Sequence, residues 1–166
     1  MIIFGVDPGF GTVGWGVVRY EGNRFFDPRC GAITTPAKIP FERRLELIYD
    51  QLSILLAETR PDVISVEELF FKYNITTGIQ VAQGRGVILL AACKARIPCY
   101  EFTPLQVKQA VTGYGRAEKR QVMEMTRMLL GLEKIPRPDD AADALALAVC
   151  CAHSMGISNL TVRQRQ

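Results

Sequence analysis

The chain reads as an α/β protein, a five-stranded mixed sheet covered by helices, and three features of its 166 residues say so. The first is an opening of three strand-like runs separated by turn formers. The second is a long segment whose apolar residues fall on one helical face. The third is an alternation of strand-like and helix-like segments beyond residue 60, which implies parallel pairing and helical crossovers. With 48% hydrophobic and 22% charged residues, the chain fits one globular domain that buries about 70% of the surface it exposes when unfolded. We assign that domain to residues 1–158 and read the polar stretch 159–166 as a flexible tail.

Taken in order, residues 2–6 are a short apolar run, 12–20 (TVGWGVVRY) a glycine-punctuated β-branched run, and 23–34 a third strand. Pro8-Gly9 and Glu21-Gly22-Asn23 supply the turns of a meander. Phe41, Leu45, Ile48, Leu52 and Leu55 recur at steps of 4, 3, 4 and 3, which predicts an amphipathic helix ending before Pro61. Asp62–Glu67 follows as a short buried strand. From Asn74 to Ala95 the apolar spacing is helical again, although Gly84 and Gly86 would each cost about 1 kcal/mol relative to Ala. Close approach to a neighbouring helix or subunit would offset that cost; a break at Gly84-Arg85-Gly86 is the alternative. Ile97–Phe102 predicts the fifth strand, and Thr103-Pro104 an N-cap and first-turn proline for a short helix. Ala117–Leu130, stopped at Gly131, and Pro138 to His153 complete the helices.

No apolar run reaches the ~18 residues of a membrane span, and MIIFGVDPG lacks the basic start of a signal peptide, so a cytoplasmic protein with no membrane partner is expected. Five cysteines without C-x-x-C spacing sit in apolar stretches and read as reduced core residues. The net charge of +3 is unremarkable, but its distribution is not. Thr103–Arg127 holds five basic residues (Lys108, Arg116, Lys119, Arg120, Arg127) against Glu118 and Glu124. Such a patch suits a polyanion, because neutralising phosphates supplies most non-specific nucleic-acid affinity.

Four acids stand where strand-like runs end or helix-like runs begin: Asp7, Glu67, Asp140 and Asp143. Asp7 closes an otherwise apolar strand, and ligands of open α/β sheets collect at strand carboxyl ends; an Asp-Pro-Gly turn is its structural alternative. Glu67 ends a buried strand, where charge is costly unless paired or metal-bound. Side chains alternate across a sheet, so either Glu67 or Glu68, not both, faces Asp7. Asp140 and Asp143 share one helical face. Complementing the helix dipole would account for Asp139 or Asp140, but Asp143 lies among Ala141, Ala142, Ala144 and Ala146, small residues that would let the helix lie against the sheet. Clustered carboxylates repel unless a cation neutralises them, and Mg²⁺ takes hard oxygen ligands. Metal-assisted phosphodiester cleavage is the chemistry this predicts.

The motifs GVDPG with TVGWGVV, SVEELFF, QGRGV, QVKQAVTGYGRAEKRQV and DDAADALALA, in that order over residues 1–153, resemble the RuvC family of bacterial Holliday-junction resolvases in the ribonuclease H-like superfamily. The resemblance implies a ribonuclease H-like fold with helices on both faces of the sheet, a homodimer, and symmetric nicking of four-way DNA junctions in recombination and repair. It places the family's acidic tetrad on Asp7, Glu67, Asp140 and Asp143, with two Mg²⁺ per site, Mn²⁺ substituting. Two such ions about 3.5–4 Å apart could activate water and stabilise the leaving oxygen. It also implies that Lys119 lies near the scissile phosphate, that Lys108 shares that task or binds DNA, and that an aromatic after Glu67 stacks on a base. Phe70 matches best, with Phe71 or Tyr73 able to share, and stacking is worth about 1–3 kcal/mol per base. Phe71, Lys72, Arg85, Arg116 and Arg120 are further candidate DNA contacts, although Arg85 could instead support its helix. Cooperation with the RuvA–RuvB branch-migration complex is implied in the same way. His153 reads as structural.

Three other readings compete. DPGFGTVGWG resembles the phosphate loop of sugar-kinase and actin-type ATPases, which need a second domain and a second loop that this sequence does not show. A YqgF-like nuclease shares the first strand but not the AEKRQ and DDAADALALA segments. A non-catalytic junction-binding module would have no reason to fill all four acidic positions.

Overall fold

The computed structural model describes residues 1–69 and 75–156. Its elements follow the predicted order: β1 (Ile2–Asp7), β2 (Thr12–Glu21), β3 (Arg24–Thr34), α1 (Phe41–Thr59), β4 (Val63–Glu67), α2 (Ile75–Lys94), β5 (Cys99–Phe102), α3 (Pro104–Thr112), α4 (Lys119–Leu129) and α5 (Asp139–Gly156). The strands form one sheet in the order β3-β2-β1-β4-β5. β1, β2 and β3 are the antiparallel meander, while β4 pairs parallel to β1 and β5 parallel to β4. The mixed sheet arises because short turns can join only antiparallel neighbours, whereas α1 and α2 carry the chain back for the parallel pairs.

Alternation along the strands divides the core in two. Phe4, Val6, Val13, Val17, Ile33, Ile64 and Val66 face Ile48, Leu52 and Leu56 of α1 and Ile88, Ala91 and Ala92 of α2; we call this side the back. Ile3, Val18, Val63 and Phe102 face α5, with Val107 and Val111 of α3 and Val122 of α4 packed beside it; this is the front. The back helix α1 runs to Thr59 and ends with Arg60 in the left-handed conformation, one residue before Pro61. On the front, Thr103 caps α3 by accepting from the Gln106 backbone N–H while the Gln106 side chain accepts from the Thr103 N–H.

α2 is continuous through Gly84 and Gly86. Within the chain, Gly84 seats against the carbonyl of Gly9 in the β1–β2 turn, which a Cβ would approach to 2.5 Å. Gly86 faces open space. All five cysteines are free; Cys150 and Cys151 are buried in α5, but Cys93 departs from the core expectation and is exposed on α2. His153 is structural as expected, with Nδ1 3.0 Å from the Ala110 carbonyl and the ring edge-on to Phe25. Among the described residues no helix is long and apolar enough to cross a membrane.

Candidate active site

The site is assembled from the carboxyl ends of two neighbouring strands. β1 and β4 run in register, Gly5 beside Ser65 and Val6 beside Val66, so their next residues are Asp7 and Glu67. Val63 packs on the front and Ser65 donates its hydroxyl to the Leu147 carbonyl of α5 at 2.8 Å. By the two-residue period Glu67 shares that face and Glu68 does not. Glu68 continues the sheet instead, its backbone N–H donating to the Phe102 carbonyl at 2.8 Å.

The other acids arrive on α5, which lies unusually low on the sheet because the strands beneath it have no side chains in the way. A Cβ at Gly5 would overlap the Ala144 carbonyl, one at Gly14 the Asp140 carbonyl, and one at Gly16 would come within 2.8–2.9 Å of Leu145. Gly5 pairs with Gly16 and Asp7 with Gly14, so this glycine floor leads directly to Asp7. Ala141, Ala144 and Ala148, all fully buried, supply the matching shallow surface of α5. Helix dipole and position together explain Asp139 and Asp140 in the first turn; Asp143, one turn on, faces the strand ends.

Asp7, Glu67, Asp143, Lys119 and Lys108 line one cavity of about 280 Å³, walled by Pro104, Val107, Val122, Ala146 and Leu147. Asp140 does not line it, but its charge is felt at Asp7. Lys119 opens α4, behind the N-cap Glu118, whose side chain accepts from the Gln121 backbone while Gln121 accepts from the Glu118 N–H. So held, its ammonium lies 2.8 Å from Asp143 and 3.9 Å from Asp139. Arg137 also pairs with Asp139.

The electrostatics are those of an undercompensated cluster. Burial, then the charges of Glu67, Asp143 and Asp140, push Asp7 up to about 8 against the single opposing influence of Lys119. Burial and Asp143 likewise raise Glu67. Burial disfavours the Lys119 ammonium, but its hydrogen bond to Asp143 and the fields of Asp143, Asp139 and Asp7 outweigh that and raise it. Hard oxygen donors whose burial and mutual repulsion raise Asp7 and Glu67 are chemically suited to a divalent ion. Among the described residues no three such side chains already stand closely enough to hold an ion; Asp143 is engaged by Lys119 instead.

Of the remaining sequence candidates, Arg116 and Arg120 are exposed and make no ion pair among the described residues. Phe70, Phe71 and Lys72, with Tyr73, lie outside the described residues. Arg85, read as a DNA contact or a support for its helix, has a side chain 11% exposed and bound from behind the sheet to Glu101 at 2.6 Å. Sequence reasoning missed Glu101, although a lone acid in the strand CYEF was a visible signal. It also missed the glycine floor, whose signal was the i, i+2 spacing of Gly14 and Gly16. A larger cleft of about 810 Å³ lies between the ends of α1 and α2, rimmed by Arg60, Lys94 and Arg96. It contains none of the acids, and cations at helix C-termini need no ligand to explain them.

Comparison with known proteins identifies the family. The family model described as crossover junction endodeoxyribonuclease RuvC matches residues 3–151. The crossover junction endodeoxyribonuclease RuvC of Rubrobacter xylanophilus is 56% identical over 160 residues, covering 96% of this chain and 89% of that protein. The solved Thermus thermophilus RuvC structure superposes with a TM-score of 0.86 at 35% identity, covering 99% of this chain and all of that one. T. thermophilus RuvC in complex with Holliday junction substrate gives 0.87 at 33% identity with the same coverage.

Proposed function

The chain belongs to the RuvC family of crossover junction endodeoxyribonucleases, and from that premise we propose that Asp7, Glu67, Asp140 and Asp143 bind a pair of Mg²⁺ ions, replaceable by Mn²⁺, to resolve four-way DNA junctions by paired symmetric nicks. The observation that carries this reading is the buried Asp7 carboxylate, surrounded by three further acids and relieved only by Lys119. When bound, the ions supply Lewis-acid stabilisation and a nucleophilic water for phosphodiester hydrolysis.

The chain's own residues do the rest. Asp7 and Glu67, fixed at the ends of paired strands, present their oxygens from a rigid floor. Asp140 and Asp143 approach from α5 because glycine allows it. Lys119, with 57% of its side chain exposed, is bound to Asp143 in the resting site and is released to meet phosphate once that acid is otherwise engaged; its charge then stabilises the developing oxyanion. Lys108, which lines the same cavity, holds a neighbouring phosphate. Arg116 and Arg120, both exposed, extend the cationic track, and Phe70, aided by Phe71 and Lys72, engages the opened crossover.

Two symmetric nicks need two sites related by a twofold axis. The homodimer we propose uses α2, where Ile79 and Leu90 are 54% and 52% exposed and share a face with the unobstructed Gly86. Function in recombination and repair beside the RuvA–RuvB branch-migration complex follows from the family resemblance.

The test is a labelled four-way junction, with linear duplex as control, incubated with Mg²⁺ or EDTA. Paired nicks on the junction alone, only with Mg²⁺, are expected. Asp7→Asn should bind the junction and leave it uncut; comparable nicking by this variant would refute the assignment.

A further inference from the structure

Behind the acids, α2 grips both strand ends with two consecutive residues. Gly84 seats against the Gly9 carbonyl, two residues past Asp7. Next to it, Arg85 donates from Nε to the Glu67 carbonyl at 3.3 Å and pairs through Nη2 with Glu101 at 2.6 Å. Glu101 lies opposite Val66 on β5, so one guanidinium ties α2, β4 and β5 together under the residue whose side chain enters the site.

A buried ion pair is a poor way to gain stability, since apolar residues of similar volume often hold a core as well or better. What the planar guanidinium adds is direction, with donors fixed in a fork that an ammonium lacks. The Arg85–Glu101 pair is neutral overall, so it does not offset the acids in front. Its effect on them is geometric: it pins the peptide after the Glu67 Cα, at the last residue of β4, and so limits where the carboxylate can swing.

We propose that Arg85 is a positioning residue for cleavage, clamping the Glu67 main chain through a Glu101-anchored guanidinium while Gly84 holds the turn beyond Asp7. This inference rests on the reading of Glu67 as a metal ligand. Residues that orient ligands from outside commonly change metal affinity or activity by about 10–100-fold when altered.

The experiment compares the parent, Arg85→Lys, Glu101→Gln and Glu67→Gln by three readouts: Mn²⁺ binding to DNA-free protein from the free-ion EPR signal, junction binding in Ca²⁺, and the Mg²⁺ concentration for half-maximal cleavage. Arg85→Lys keeps the charge and loses the fork. It should remain folded at the assay temperature, bind junction as the parent does, and weaken Mn²⁺ affinity about tenfold or more, with a matching rise in required Mg²⁺. Glu101→Gln should shift both in the same direction, which a role for Arg85 in DNA contact would not produce. Parental Mn²⁺ affinity in folded Arg85→Lys overturns the proposal, as does a loss that follows only the fraction unfolded. If Glu67→Gln itself keeps metal binding and cleavage, the ligand assignment fails; if it loses both while Arg85→Lys is parental, only the clamp fails.

Discussion

On the back of the sheet, Phe4, Val6, Val17, Ile64 and Val66 fill the space under α1 and α2 with large side chains. On the front the same strands present Gly5, Gly14, Gly16 and Ser65 to α5. Each face is buried, yet they use burial differently. The back maximises apolar volume, as a core that only has to hold should. The front gives up that volume so that a helix backbone can approach closely enough for its carboxylates to meet those at the strand ends. The difference teaches that the acidic cluster depends on what is missing beneath α5 as much as on the acids themselves, and it predicts that substitutions on the two faces fail in different ways.

The largest contrast is expected between Lys119→Met on the front and Leu52→Ala on the back. Losing one charge aimed at a transition-state oxyanion typically costs about 10²–10³ in turnover, so Lys119→Met should fold normally and cut slowly. Leu52, fully buried between sheet and α1, should cost about 2–5 kcal/mol of stability on truncation while folded molecules cut at the parental rate. Single-turnover cleavage beside urea unfolding measures both, and a slow but stable Leu52→Ala would break the division.

Gly5→Ala comes next, because it attacks the floor without touching a charged group. The added Cβ would overlap the Ala144 carbonyl, so α5 must lift and carry Asp140 and Asp143 with it. Overpacking of this kind costs roughly 1–3 kcal/mol, and misplacing reacting groups by about 1 Å can cost about 100-fold in rate. Cleavage should therefore fall much further than stability. Equal, small losses in both would show that α5 has room to spare.

This contrast also marks how far the sequence alone could be read. Strand and helix order was legible because period 2 and period 3.6 are written in the apolar residues themselves, and the Thr103-Pro104 cap was legible because its chemistry is local. The choice between Glu67 and Glu68 was not, since it depends on the register of β4 against β1, and only the family resemblance favoured Glu67. The alanines around Asp143 announced a close approach, but their glycine counterparts are spread over two strands, and nothing local says which of them lie under one helix. Gly84 shows the same limit: its small size was visible, but its partner, the Gly9 carbonyl, was not. Arg85 could be read as a helix support or a DNA contact because its countercharge, Glu101, lies on a different element.

A difference in pH dependence sharpens the comparison further. In metal-free protein Asp7 is held up to about 8, from an unfolded value of 3.8. Between those values the folded state binds the proton that the unfolded state has lost, so stability falls as pH rises from about 4 to 8 and levels off above. Asp7→Asn removes this penalty. In EDTA it should equal or trail the parent near pH 4 and exceed it by roughly 2 kcal/mol or more at pH 8.5, read from urea midpoints. Leu52 carries no ionisable group and leaves Asp7 in place, so Leu52→Ala should show a pH-independent deficit. Divalent metal should reverse the advantage of Asp7→Asn at high pH, because the ionised carboxylate is then the bound form.

The smallest effect is expected at Ser65, a polar side chain that fills the front between the glycines and Glu67. Its hydroxyl donates to the Leu147 carbonyl at 2.8 Å in a fully buried position. That carbonyl lies within α5 and keeps its place in the helical ladder when the hydroxyl is removed. Ser65→Ala should therefore lose only the net worth of one hydrogen bond, about 1 kcal/mol, or roughly 2–4 °C in Tm for a chain of this size, with cleavage unchanged. Ser65→Val keeps the loss and adds bulk against α5, as Gly5→Ala does, so its cleavage should fall as well as its stability. If both variants lose stability and neither loses rate, the spacing of α5 would not be what sets the acids, and the glycine floor would be a packing feature alone.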